Sequence, residues 1–181
     1  MSSNKSRRKG KMNAKTYTTE TLKFTKEDLI DYYRADCVLR GVAMNVPSYE
    51  GRVFLNYPTA NLETPKDTAH GYVGSYFIFG HAKCLGDEGH CDIPKERTSR
   101  SIFDDVPFRL SPEPYISIKV TDYLKELSKT TQEFTVTVVP KVCKITEYGA
   151  EMNEIMSEID YENVVKIDKV SIEIYDKEGE V

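Results

Sequence analysis

Residues 81–91 read HAKCLGDEGHC and bring two of the three histidines and two of the four cysteines into one short run. The order is His81-x2-Cys84-x5-His90-Cys91. Thiolates and imidazoles together are a competent tetrahedral set for zinc or copper(I). Gly86 and Gly89 give the backbone the freedom to fold back, as four ligands drawn from so short a run require. Asp87 and Glu88 stand where carboxylates can orient imidazole protons from behind the ligands. His90 and Cys91 are adjacent, so their side chains tend to point apart, and His70 can replace one of them. The spacing matches no standard zinc motif. Two plainer readings stay open. Cys84 and Cys91 enclose a glycine-containing loop that a disulfide closes with good geometry, or the run is a polar turn with reduced thiols and solvent-facing histidines. Cys37 and Cys143 fall in expected strands and read as small buried hydrophobes.

Other chemistry-bearing residues are less organised. Asp87–Glu88 and Asp104–Asp105 are paired acids, but neighbours on a loop more often face solvent than share a proton. No nucleophile elbow, phosphate-binding glycine loop or metalloprotease helix is present. Ser75 follows Gly74 in an expected strand, with no histidine and acid in a convincing order around it. The twelve tyrosines read as strand residues rather than a redox chain.

The elements that position these residues are mostly strands. Thr25-Lys-Glu-Asp28 starts a short helical signal through Tyr33, with Thr25 as the cap and Asp28 as the capping-box acid. The pattern then turns to period two. Cys37–Val42, Arg52–Tyr57 and Tyr72–Phe79 read as strands rich in the aromatic and β-branched residues that suit a pleated surface. Residues 80–114 carry few strand signals and hold the ligand-rich run, a charged segment and FDDVPFRLSPEP, a length that is usually functional or disordered. Tyr115–Val120 alternates, Thr121 caps a helix over Asp122–Leu127, and Phe134–Val139 alternates up to Pro140. Met152, Ile155, Met156 and Ile159 fall at helical spacing, more often a packing face than a ligand set. Val164–Tyr175 reads as one long or bent strand. Six or seven short strands predict a mainly β fold, an antiparallel β-sandwich with one or two short helices.

Composition bounds the rest. The 181 residues fit one domain with tails. The expected division is a disordered basic tail over 1–20, a short helical lead-in over 21–35, the sandwich over 36–176 with its long loop at 80–114, and a tail over 177–181. The first 16 residues hold Lys5, Arg7, Arg8, Lys9, Lys11 and Lys15 and no acid, while the remainder is acidic. This reads as a solubilising terminus, and an acidic body without a recognition module argues against sequence-specific nucleic-acid binding. No apolar run reaches membrane-spanning length and no secretory signal is visible, so the expected location is cytoplasmic. Four cysteines leave the redox compartment open.

The order of these strands resembles the C-terminal β-domain that follows the catalytic domain in the tyrosinase and polyphenol oxidase family. Arg40-Gly-Val with Gly51-Arg-Val-Phe-Leu-Asn56 is similar to that domain's first strand pair. His70-Gly-Tyr-Val-Gly-Ser-Tyr-Phe-Ile-Phe79 is similar to its aromatic-x-Gly-Ser-aromatic strand. Ile116-Ser-Ile-Lys-Val-Thr-Asp-Tyr-Leu-Lys-Glu-Leu127 resembles the strand that runs into a short helix. Phe134–Pro140 and Val164–Tyr175 resemble the last two strands. The resemblance covers about Asp36 to Tyr175 and implies a jelly-roll-like sandwich that packs over a dicopper site and shields it. A dicopper oxidase needs six histidines and this chain has three, His70, His81 and His90, so it is not a tyrosinase by itself. The resemblance implies a non-enzymatic accessory domain that covers, stabilises or helps metallate a type 3 copper partner. It also implies that a loop residue such as Phe108 or Leu110, held between Pro107 and Pro112, plugs the partner's pocket, against the plainer reading of a stiff loop on its own sheet. A stand-alone zinc- or copper-binding or interaction module is the alternative, and a zinc-dependent hydrolase the weakest one.

Overall fold

A computed structural model describes residues 14–80, 115–142 and 159–176. Two antiparallel sheets form a β-sandwich around one shared core. The first sheet has the order β1-β8-β4-β5, with β1 Tyr17–Thr18, β4 Tyr49–Leu55, β5 Tyr72–Ile78 and β8 Val136–Val142. The second has the order β6-β3-β9, with β3 Arg34–Arg40, β6 Tyr115–Lys119 and β9 Lys169–Tyr175. A two-stranded ladder joins β2, Leu22–Lys23, to β7, Glu133–Phe134. The one helix among the described residues is α1, Thr121–Leu127.

Alternation explains the second sheet. Ala35, Cys37 and Leu39 of β3 point inward with Val170 and Ile172 of β9, and meet Tyr49, Val53, Leu55, Tyr76 and Val138 of the first sheet. Each of these strands therefore presents one apolar face, and face-to-face packing removes both from water. The central strand β4 breaks the rule. Its outward-facing Phe54 is buried as well, in a second small core with Ala60 and Val139, covered by Tyr57, Leu62 and Tyr72. Residues 56–71 thus lie across the outer face of the first sheet.

Several expected boundaries move for local reasons. The Thr25–Asp28 capping box forms, with Asp28 Oδ2 taking the Thr25 amide at 2.8 Å and Thr25 Oγ1 taking the Asp28 amide at 3.2 Å. What it starts is only a 3₁₀ turn over Glu27–Leu29, because Asp31 adopts φ 56° and swings Tyr32 into the core. Helix α1 begins at Thr121 itself. The Thr121 hydroxyl does not cap it; it accepts the Ala35 amide at 3.0 Å and so ties the helix to β3. Residues 17–18 pair with β8, inside the segment read from sequence as tail. Strand β9 starts at Lys169 rather than Val164, although the Ala43 amide still reaches the Lys166 carbonyl.

Pro140 sits inside β8 instead of ending it. The Leu55 amide donates to Gly71 on the β5 side and the Asn56 amide to Thr135 on the β8 side, which fixes the alternation along β4. Gly51 therefore turns its backbone groups toward β5, and its partner Pro140 turns its nitrogen away from β4. On that other side β1 reaches only Thr137 and Val138, so the missing N–H breaks no ladder bond. Gly51 is needed for a different reason: the Tyr76 ring lies across it, where a Cβ would stand.

Candidate functional site

Of the expected ligands, His70 is described. It closes a 3₁₀ turn, Thr68–His70, whose cap is Asp67. Asp67 Oδ1 accepts the His70 amide at 3.0 Å and lies 2.6 Å from His70 Nδ1. The hydrogen bond from His70, opposed by slight desolvation and helped by the backbone amides, holds the Asp67 carboxyl below its ordinary value. Gly71 then leaves the turn with φ 76°, at a point where a Cβ would run into the Leu55 carbonyl. The imidazole stands edge-on to Tyr57, with ring centroids 5.9 Å apart. A carboxylate on Nδ1 favours the proton there and leaves Nε2 as the free lone pair, the arrangement by which outer carboxylates orient metal-binding histidines. The His70 side chain is 37% exposed, so the imidazole is oriented by Asp67 and partly accessible to solvent.

His70 does not complete a site by itself. Among the described residues no three His, Cys, Asp or Glu side chains converge as a metal site would require. His81, Cys84, His90 and Cys91 lie outside the described residues, as do Phe108, Leu110, Asp104, Asp105 and Cys143. Cys37 is fully buried, and burial, with the charge of Asp36 beside it, pushes its thiol up to about 12. That is a structural thiol and not a reactive one. A surface cleft of about 490 Å³ lies between the Thr25–Asp28 turn and β9. Lys23, Glu27, Asp28 and Asp176 line it without a nucleophile or histidine.

Sequence reasoning missed a charged cluster on the outer face of the first sheet, tied to the loop that carries His70 through Lys66. Glu50 on β4 points to the outer face of the first sheet and is only 7% exposed. It is paired with Lys66 from the covering loop, accepts the Ser75 hydroxyl at 3.0 Å, and lies 3.4 Å from Arg52 Nε. Arg52 in turn donates to the Leu62 carbonyl at 2.9 Å. Burial pushes the Glu50 carboxyl up, but the hydrogen bonds from Lys66 and Ser75 with the charges of Arg52 and Lys66 outweigh it and leave it below the ordinary glutamate value. The cluster fastens the loop that carries Asp67 and His70 to the sheet. The only signal was Glu50-x-Arg52 at strand spacing, two charges on one face.

No protein-family model matches the chain, and no curated protein matches it. Among solved structures it is similar to a recombinantly expressed latent aurone synthase (polyphenol oxidase), at 12% identity over 88% of this chain and 24% of that one, with a TM-score of 0.45. The latent enzyme from its natural source gives 12% identity, 89% and 24% coverage, and a TM-score of 0.45. The recombinant form co-crystallised with hexatungstotellurate(VI) gives 14%, 89%, 24% and 0.45. The chain spans about a quarter of the length of these structures. A likeness at this level says nothing of activity. Among the described residues no helix is long and apolar enough to cross a membrane.

Proposed function

We propose that this chain is a non-enzymatic accessory domain that covers, stabilises or helps metallate a type 3 copper oxidase partner. The observation that carries the reading is the order of elements. The five pieces that resemble the tyrosinase-family C-terminal domain fall, in the same order, on β3–β4, β5, β6–α1, β8 and β9 of one sandwich. His70 supports the metal-handling part of the reading, since Asp67 holds its Nδ1 at 2.6 Å and its side chain is partly exposed. His81, Cys84, His90 and Cys91 are the soft and borderline ligands that would suit copper(I) or zinc, and Phe108 or Leu110 would occupy the partner's pocket.

The test is metal content followed by transfer. The protein is purified reduced and without chelator, beside a variant with His81, Cys84, His90 and Cys91 all changed to alanine. Zinc and copper per chain are then counted by elemental mass spectrometry. About one metal per chain, lost in the variant, supports a metal-handling domain. Copper loading of an apo type 3 oxidase is then compared with and without the chain. Faster or fuller loading, or protection of the oxidase from unfolding, is the expected result; no metal and no effect on the oxidase refutes the proposal. Metal held tightly, with no effect on any such oxidase, would favour a stand-alone metal-binding module.

A further inference from the structure

From Ala14 to Asp31 no residue is buried; the first buried one is Tyr32. Over 14–24 the chain lies as one arm along residues 132–138, with β1 and β2 as its two short ladders. The Thr19 amide donates to the Val136 carbonyl and the Phe24 amide to that of Gln132, each at 3.0 Å. Tyr17, Leu22 and Phe24 rest half-buried on the core. The ion pairs Lys15–Glu162 and Lys23–Glu133 are exposed on both sides and add little. A segment held by backbone bonds and half-buried side chains opens at a far lower free energy than the whole fold.

The link from this arm to β3 is loosely packed and sharply bent. The cleft of about 490 Å³ lies between its first half and Ile172 and Ile174 of β9. A second, about 450 Å³, lies between Leu29–Asp31 and Lys125 and Ser128 at the end of α1. Asp31 turns the chain with φ 56°, a left-handed conformation that a residue with a side chain adopts at a cost. Beside it Ile30 leaves 59% of its surface in water.

We propose that the arm exchanges between two copies of the chain: residues 14–24 of each copy lie on 132–138 of the other, and 25–31 opens into an extended connection. The groove itself names the occupant. Residues 132–138 already hold this arm, and a second copy brings the same side chains in the same register. Every arm contact of the single chain is remade in the pair, so the balance falls to the link. Once opened, Asp31 returns to the extended region, and Ile30 stands where the two links run past each other and cover it. Residues 25–31 reach roughly 23 Å when extended, enough to cross to an adjoining copy. The exchange does not rest on the accessory-domain reading, because it needs no oxidase and no metal.

The test uses two preparations of the full chain, Thr18→Cys and Thr137→Cys. These positions are register partners with hydroxyl oxygens 3.2 Å apart, so a disulfide between them marks a seated arm. The preparations are mixed in equal amounts, held concentrated and warm below the unfolding temperature, then diluted, oxidised and digested. Links from position 18 of one copy to position 137 of the other are expected well above the share that random collision gives, and peptide masses separate them from links to the chain's own cysteines. Sedimentation of the unsubstituted chain after the same treatment is expected to show twice the mass of the 20.7 kDa chain. Asp31→Gly removes the cost of the left-handed turn and is expected to raise the concentration needed for the dimer by about tenfold or more, since each dimer opens two links. Asp31→Val resists that turn and is expected to lower it; should this variant fail to fold, Asp31→Gly and the cross-link decide. A parent that stays monomeric after concentration and warming overturns the proposal. So does a dimer whose links follow random collision, or one that Asp31→Gly leaves unchanged.

Discussion

Removing the Glu50 carboxylate separates the worth of its two cations. Lys66 is 41% exposed and swings into water when released, so its pair with Glu50 is worth about 1 kcal/mol or less. Arg52 is 11% exposed and has no such route. In Glu50→Leu it keeps the Leu62 carbonyl but stays buried beside an alkyl chain, and the Ser75 hydroxyl is left with Tyr72 alone. Breaking a buried pair by deleting one partner costs about 3–5 kcal/mol. The retained carbonyl contact places Glu50→Leu near the lower end, about 3 kcal/mol. Lys66→Met is expected to cost under about 1 kcal/mol on the exposed-pair scale, and Glu50→Leu with Arg52→Leu to recover much of the loss, because apolar replacement of both partners leaves no buried charge. Urea unfolding followed by circular dichroism gives all three values. Glu50 sits below its ordinary value near 4.5 when folded, so the carboxylate stabilises the fold above that pH. The advantage fades as pH falls below about 4.5 and through the lower folded value. The gap between the parent and Glu50→Gln must therefore narrow on acidification. A gap that is the same at pH 7 and at pH 3, or a Lys66→Met cost equal to that of Glu50→Leu, would refute the reasoning.

Other positions give sharper single tests. Phe134 is fully buried with its ring 5.7 Å from that of Phe24; Phe134→Ala is expected to cost about 3–5 kcal/mol in the same unfolding assay, and a loss below about 1 kcal/mol would mean the ring is not packed as described. Gly51→Ala drives a methyl into the Tyr76 ring, which cannot yield freely because its hydroxyl meets that of Tyr49 in the core at 3.2 Å; a cost of about 1–3 kcal/mol follows from overpacking, partly relieved in Gly51→Ala with Tyr76→Leu. Cys37 is expected to resist iodoacetamide in the folded protein at pH 8, since a thiol pushed up to about 12 holds almost no thiolate there; peptide mapping that finds it alkylated as fast as a free thiol contradicts the burial.

Strands β6 and β9 were legible because each buries one face. Tyr115–Lys119 and Lys169–Tyr175 alternate in the sequence and in burial, and a period of two leaves little room for another reading. Strands β1, β2 and β7 were not, since two residues carry no period, and their pairing is decided by where β8 and the following turns place them. Pro140 was read as a stop because local propensity cannot know which side of a strand lacks a partner. The turn after Thr25 was read as too long because a capping box starts a helix but does not extend one; Asp31 and the pull of Tyr32 into the core ended it. His70 was picked out for its ring, but its orientation depends on Asp67 three residues earlier, a local pair that side-chain chemistry would have suggested. The Glu50 cluster spans β4, β5 and the covering loop, and no sequence window holds all three.

Strand β3 has a consequence for how the chain is made. It is the centre of its sheet, and both neighbours lie downstream, β6 from residue 115 and β9 from residue 169. Its Arg40 reaches a glutamate 133 residues further along. A ribosome working from the N-terminus therefore releases β3 long before anything can cover it. Cys37, Val38 and Leu39 stay open to other chains until residue 175 has left the exit tunnel. Contacts so distant in sequence close slowly, and a slow closure with an open apolar strand is where a nascent chain meets holdase chaperones or is lost to aggregation.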